Sequence, residues 1–190
     1  MNLNDYLIEI KLGDNPELES IFNLALKQVF SENYLNKIES KIKKQIRIKE
    51  KHSKNQNEVA WVQGNTIYIN PPVFNSKNKK TQIKYLLHEF MHILNNTKSF
   101  IVSSQFKEIK QLSKKLWEII KKHSDNPGLF LTGKEVDDKY LNYQEALSYL
   151  MNDKIKWEKI SPQGKQLFLE ELQKYNIFNL QHEFWKKRLT

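Results

Sequence analysis

The chain contains no cysteine, which rules out disulfides, cysteine-ligated zinc and thiol nucleophiles together. Arginine is nearly absent as well: Arg47 and Arg188 are the two arginines among 31 basic residues. Bidentate recognition of phosphates and bases leans on arginine. The formal charge of +9 therefore reads as a lysine-rich solvated surface, with nucleic acid an unexpected partner. A bias toward Asn and Ile along the whole chain points the same way. No apolar run approaches a membrane span. The N-terminus lacks a basic segment followed by an apolar one, so no secretory signal is visible. These absences predict a soluble cytoplasmic protein with no membrane partner. Low-complexity tracts and internal repeats are also missing.

A length of 190 residues and a hydrophobic fraction of 39% predict one domain with a sizeable core. Asn15 and Pro16 mark a helix start. Leu18, Ile21, Phe22, Ala25, Leu26 and Val29 follow at helical spacing. Ser31 is placed to cap a second helix carrying Tyr34, Leu35, Ile38 and Ile42. From Gln45 the period shortens to two. Ile46 and Ile48 alternate with charged residues, and 59–62 and 66–69 read as strands joined by a turn at Gln63-Gly64-Asn65. A small sheet of about three strands is thus expected before residue 70.

A helix is expected from about Lys80 to Asn95. Ile83, Leu86, Leu87, Phe90, Ile93 and Leu94 make it broadly apolar, and His88 and His92 interrupt that surface. Further helices are expected around Phe106 to Ile120, Asn142 to Asn152, after Ser161-Pro162, and from about Leu180 to Leu189.

The interruption has the form His88-Glu89-Phe90-Met91-His92. Two histidines four apart lie one turn from each other on one helix face. Their imidazoles can converge on one ion, and the adjacent Glu can hold a water beside it. Two polar groups in an apolar helix need partners, and a metal would satisfy both. A catalytic zinc usually has three protein ligands and one open position. Without cysteine the third ligand must be His, Glu or Asp. The continuation His-x-x-Gly-x-x-His is missing, because Asn95 and Lys98 stand at the last two positions. Glu145 is the leading candidate, in the otherwise uncharged stretch Asn142 to Met151. A carboxylate there is costly to bury unpaired, and facing a metal removes much of that cost. Glu118, Glu135 and His123 are the alternatives.

With His88-Glu89-Phe90-Met91-His92 followed by Glu145, the chain resembles the gluzincins, zinc peptidases whose third ligand is a downstream Glu. By size the small gluzincins and the ImmA/IrrE-type peptidases are most similar. Ser148 matches a small residue found three positions after that Glu, and Tyr149 stands where the family has Asp or Asn. The likeness spans about residues 58–152. It implies an α+β, zincin-like fold: a small sheet packed on an active-site helix, with additional N- and C-terminal helices.

It also implies a zinc ion held by His88, His92 and Glu145, with Glu89 as general base on a zinc-bound water and a peptide or protein as substrate. A further side chain should stabilise the oxyanion. His182 and Tyr149 are the leading candidates, with Tyr143 and His123 behind them. If residues 66–69 form an exposed edge, an extended peptide could pair there. The expected organisation is a single domain over 1–190, with a helical part to 45, a catalytic core over 46–152 and C-terminal helices over 153–190. The alternative class is a metal-retaining regulator or nucleic-acid-associated protein without turnover.

Overall fold

Pro16 opens helix α1 (Pro16–Val29), where a missing N–H costs nothing and a fixed φ suits the first turn. The computed structural model describes residues 16–36, 46–95, 107–125, 147–148, 150–151 and 158–189. Phe22, Ala25, Leu26 and Val29 form the buried stripe of α1. Beyond it, the Ser31 hydroxyl accepts the Tyr34 N–H at 3.3 Å and donates to the Asn176 carbonyl at 2.7 Å. One side chain thus caps the short helix at 32–36 and ties it to the C-terminal part. The Trp185 indole N–H adds a second tie, donating to the Val29 carbonyl at 2.8 Å. Phe30 and Phe178 form an isolated antiparallel bridge beside it.

Three short strands follow: β1 (Arg47–Glu50), β2 (Ala60–Gln63) and β3 (Thr66–Ile69). Their order is β1-β3-β2, with β1 parallel and β2 antiparallel to β3. The β2–β3 hairpin turns through Gly64-Asn65. Gly64 has φ 62° and no other residue type has positive φ among the described residues, the pattern of a type II′ turn. Strand β3 is therefore central. The condition under which a peptide could pair along residues 66–69, an exposed edge, is not met: the parallel partner β1 covers that side. Such pairing leaves no local signal, because parallel strands are joined by long connections.

Asn70-Pro71-Pro72 ends β3, as its prolines suggest, and also begins a short helix, α2 (Pro71–Asn75). The buried Asn70 amide donates to the Glu58 carbonyl at 2.9 Å. Asn78 starts the next helix, α3 (Lys79–Asn95), its side chain accepting the Thr81 N–H at 2.9 Å. The remaining helices are α4 (Lys107–His123), α5 (Pro162–Lys174) and α6 (Glu183–Leu189). Ser161 caps α5 by accepting the Gly164 N–H, as Ser-Pro at that place suggests.

Helix α3 lies at the centre. It packs on β2 and β3, on α1 and on α4. Leu86, Leu87, Phe90, Met91, Ile93 and Leu94 are all buried on it. The Phe90 ring meets Phe22 and Phe30 edge-on at 6.0 and 5.8 Å, and truncating such a residue costs about 3–5 kcal/mol. Residues 147–148 and 150–151 are helical, and Leu147, Ser148, Leu150 and Met151 are buried. The architecture is α+β, a small mixed sheet with several helices. Among the described residues no helix is long and apolar enough to cross a membrane.

Candidate metal centre

The helical period of α3 sets the centre of the site. His88 and His92 are one turn apart, and their Nε2 atoms lie 3.0 Å from each other. The rings meet edge to face, with centroids 4.7 Å apart and planes at 77°. His88 and Glu89 are each 8% exposed. His92 is half-buried beside them, and Phe90, Met91, Ile93 and Leu94 around the three are buried.

Burial lowers the His92 ring from the usual 6.5 to about 4, because charging it would cost solvation that the interior does not return. At neutral pH His92 is therefore an uncharged imidazole, the protonation state in which histidine ligates metals. In the facing contact one Nε2 donates to the other, the tautomers deciding which. A divalent cation would take the donated proton's place. Two nitrogens bound to one tetrahedral zinc at about 2.0–2.1 Å each stand about 3.3 Å apart. The observed separation is a few tenths of an ångström from that, so the pair fits a zinc ion.

No third His, Asp or Glu among the described residues joins the pair in a group that could hold a metal. Glu145 lies outside the described residues, as do Tyr149, Tyr143 and Glu135. Ser148, three positions after Glu145, is fully buried. Glu118 is described and lies elsewhere: its side chain is 56% exposed and pairs with Lys121 at 2.7 Å.

The other two described candidates make the following contacts. His182 Nδ1 accepts the Phe184 N–H at 3.0 Å, which caps the start of α6. His182 also lines a cavity of about 420 Å³ between α1, α3 and α6, with Ile21, Leu24, Lys80, Leu87 and Phe184. His88, Glu89 and His92 are not among the cavity's lining residues. His123 ends α4, where its carbonyl accepts the Ser161 N–H at 2.8 Å.

One supporting group escaped the reading of the sequence. Asn95 is buried at the end of α3, three residues past His92. Its amide donates to the Met91 carbonyl at 3.1 Å and accepts from the Ser113 hydroxyl at 2.8 Å. The signal was available, since an Asn closing an apolar helix must find partners. The partner was not, because Ser113 belongs to a different helix.

Comparison with protein-family models, with curated proteins and with solved structures finds no match to this chain.

Proposed function

We propose that the protein is a zinc-dependent peptidase of gluzincin type, built on a zincin-like version of the α+β fold. The supporting observation is the convergence of His88 and His92 Nε2 to 3.0 Å on a buried helix face that also carries Glu89. His88 and His92 would hold the ion, with Glu145 as the third ligand. Zinc, when bound, supplies a Lewis acid that acidifies water and polarises a carbonyl.

Glu89 performs the proton transfers. Glu89 follows His88 on α3 and is 8% exposed, so a water held against its carboxylate would face little competition as a proton donor. Glu89 takes that proton during attack on the peptide carbonyl and delivers it to the leaving amine. The substrate backbone has a matching surface in β2. This strand pairs with β3 on one side and, among the described residues, is an edge strand of the sheet. An extended peptide adding to such an edge is held by main-chain hydrogen bonds.

The test compares hydrolysis of an unstructured protein substrate by the zinc-loaded wild type and by Glu89→Gln. The amide keeps the shape and the metal but cannot accept a proton. Turnover should fall by about 10²–10⁴-fold with zinc content unchanged. Equal turnover removes Glu89 as the base. Bound zinc with no turnover in either protein favours the metal-retaining regulator instead.

A further inference from the structure

The sheet has two faces of opposite character. Period-two alternation turns Ile48, Ile67 and Ile69 toward the core, where each is buried. The in-register rows on the other face run Lys49–Tyr68–Trp61 and Arg47–Thr66–Gln63. Lys51 extends the ladder past β1, its N–H donating to the Ile69 carbonyl at 3.0 Å. Arg47, Lys49 and Lys51 therefore share one face, and all three are exposed. Their spacing along the strand is about 7 Å per pair of residues. No carboxylate stands in these rows. Glu50, the acidic residue of β1, falls in register with Ile69 on the opposite side.

Beside this row of cations lies an aromatic pair. The Trp61 and Tyr68 rings stack with centroids 5.4 Å apart and planes at 20°. Both residues remain partly exposed. The Lys51 ammonium sits 5.0 Å over the Tyr68 ring, so an electron-rich ring face is presented to a cation at the surface. Cross-strand packing explains why the two rings touch. It does not explain why, among the described residues, three cations and no carboxylate share the in-register rows with them.

We propose that this outer sheet face binds single-stranded nucleic acid. A base stacks on the Trp61–Tyr68 pair, and successive phosphates lie along Arg47, Lys49 and Lys51. Unpaired bases offer flat π-faces to exposed aromatic rings, while a basic groove follows the backbone. A duplex keeps its bases stacked internally and could use the cations alone. An acidic peptide likewise has no use for paired flat rings. Lysine serves here as a point charge for phosphate, a role that does not need arginine's fork. The proposal does not need the metal site, since α3 packs on the sheet from the other side; it shares with the peptidase reading only strand β2, whose edge that reading gives to a peptide and whose outer face carries Trp61.

The test uses the full chain and a short fluorescein-labelled oligothymidylate, followed by anisotropy across salt from about 50 to about 200 mM. Three phosphate contacts predict a slope of log K against log salt of about −2. Lys49→Gln and Arg47→Gln should each reduce that slope by about 0.7. Trp61→Leu should weaken binding by about tenfold or more at fixed salt and leave the slope unchanged. Wild-type tryptophan fluorescence should be quenched with the same midpoint, and that quenching should vanish in Trp61→Phe. The comparison is made in a Trp157→Phe background, because Trp157 lies outside the described residues; Trp117 and Trp185 are buried and should not respond.

Thermal unfolding checks that the variants fold. Should Trp61→Leu fail to fold, the quenching comparison with Trp61→Phe and the slope change in Lys49→Gln, at an exposed position, decide the question. Three results would overturn the proposal: full affinity in Trp61→Leu, equal competition by a duplex of the same length, or equal competition by a sulfated polysaccharide. Each would leave unspecific charge attraction as the whole effect.

Discussion

The Ser113 hydroxyl donates to the Asn95 amide oxygen at 2.8 Å, with both residues almost fully buried. This bond joins α4 to the end of α3 just past His92. Ser113→Ala leaves the Asn95 oxygen without that donor in a place where water is excluded. Such a loss costs about 1–3 kcal/mol. Urea unfolding should show a lower midpoint with an unchanged slope. An unchanged midpoint would mean that the amide finds another donor there.

The half-buried His92 ring makes the metal-free protein sensitive to acid. Its folded value is about 4 against 6.5 when exposed. Between those limits the unfolded chain binds more protons than the native one, so stability rises with pH. The contribution is complete above pH 6.5 and is lost as pH falls toward 4, a change of at most about 3 kcal/mol. Comparing unfolding free energies of apo wild type and His92→Gln across this range isolates the effect from the titrating carboxylates. Parallel curves would show that the ring protonates at no cost.

Zinc affinity separates ligands from neighbours. The wild type should bind one equivalent in competition with a chromogenic chelator. His88→Gln, His92→Gln and Glu145→Ala should each lower the affinity by more than about a hundredfold, beyond the 10–100-fold expected for an outer group. Glu118→Ala should have no effect, because that carboxylate pairs with Lys121 at the surface. Unchanged affinity in Glu145→Ala would transfer the third position to another residue.

Gly164 lies where the start of α5 packs closely on the end of α4. A Cβ built there would lie 2.5 Å from His123 Cβ and 2.7 Å from Ile160 Cγ2. Gly164→Ala should therefore destabilise, by about 1–3 kcal/mol of overpacking, although alanine is the better helix former. At about 2–4 °C per kcal/mol for a chain of this size, calorimetry should record a melting point several degrees lower. A higher melting point would mean that the helices separate freely.

Features written within a few residues of each other were legible. Pro16, Ser31 and Ser161 mark helix starts because proline geometry and hydroxyl capping act over three or four positions. Gly64-Asn65 marks the hairpin because its turn needs positive φ at the first position. The convergence of His88 and His92 follows from the helical repeat alone. Asn78 is a local signal of the same kind, its side chain accepting the Thr81 N–H at the start of α3. The placement of His182 was not legible. An isolated histidine near the C-terminus carries no signal that its Nδ1 bonds the Phe184 N–H or that it lines the cavity beside α1 and α3.

The sequence by itself determined the helix that carries His88, Glu89 and His92, the strands before it and the turn between β2 and β3. Each depends on a short-range period or backbone preference that neighbouring residues complete. Tertiary structure alone decided that β3 is central, because its parallel partner β1 is separated from it by a long stretch of chain. The same pairing gathered Arg47, Lys49, Lys51, Tyr68 and Trp61 onto one surface. In the sequence they are scattered among two dozen residues; strand register made them neighbours.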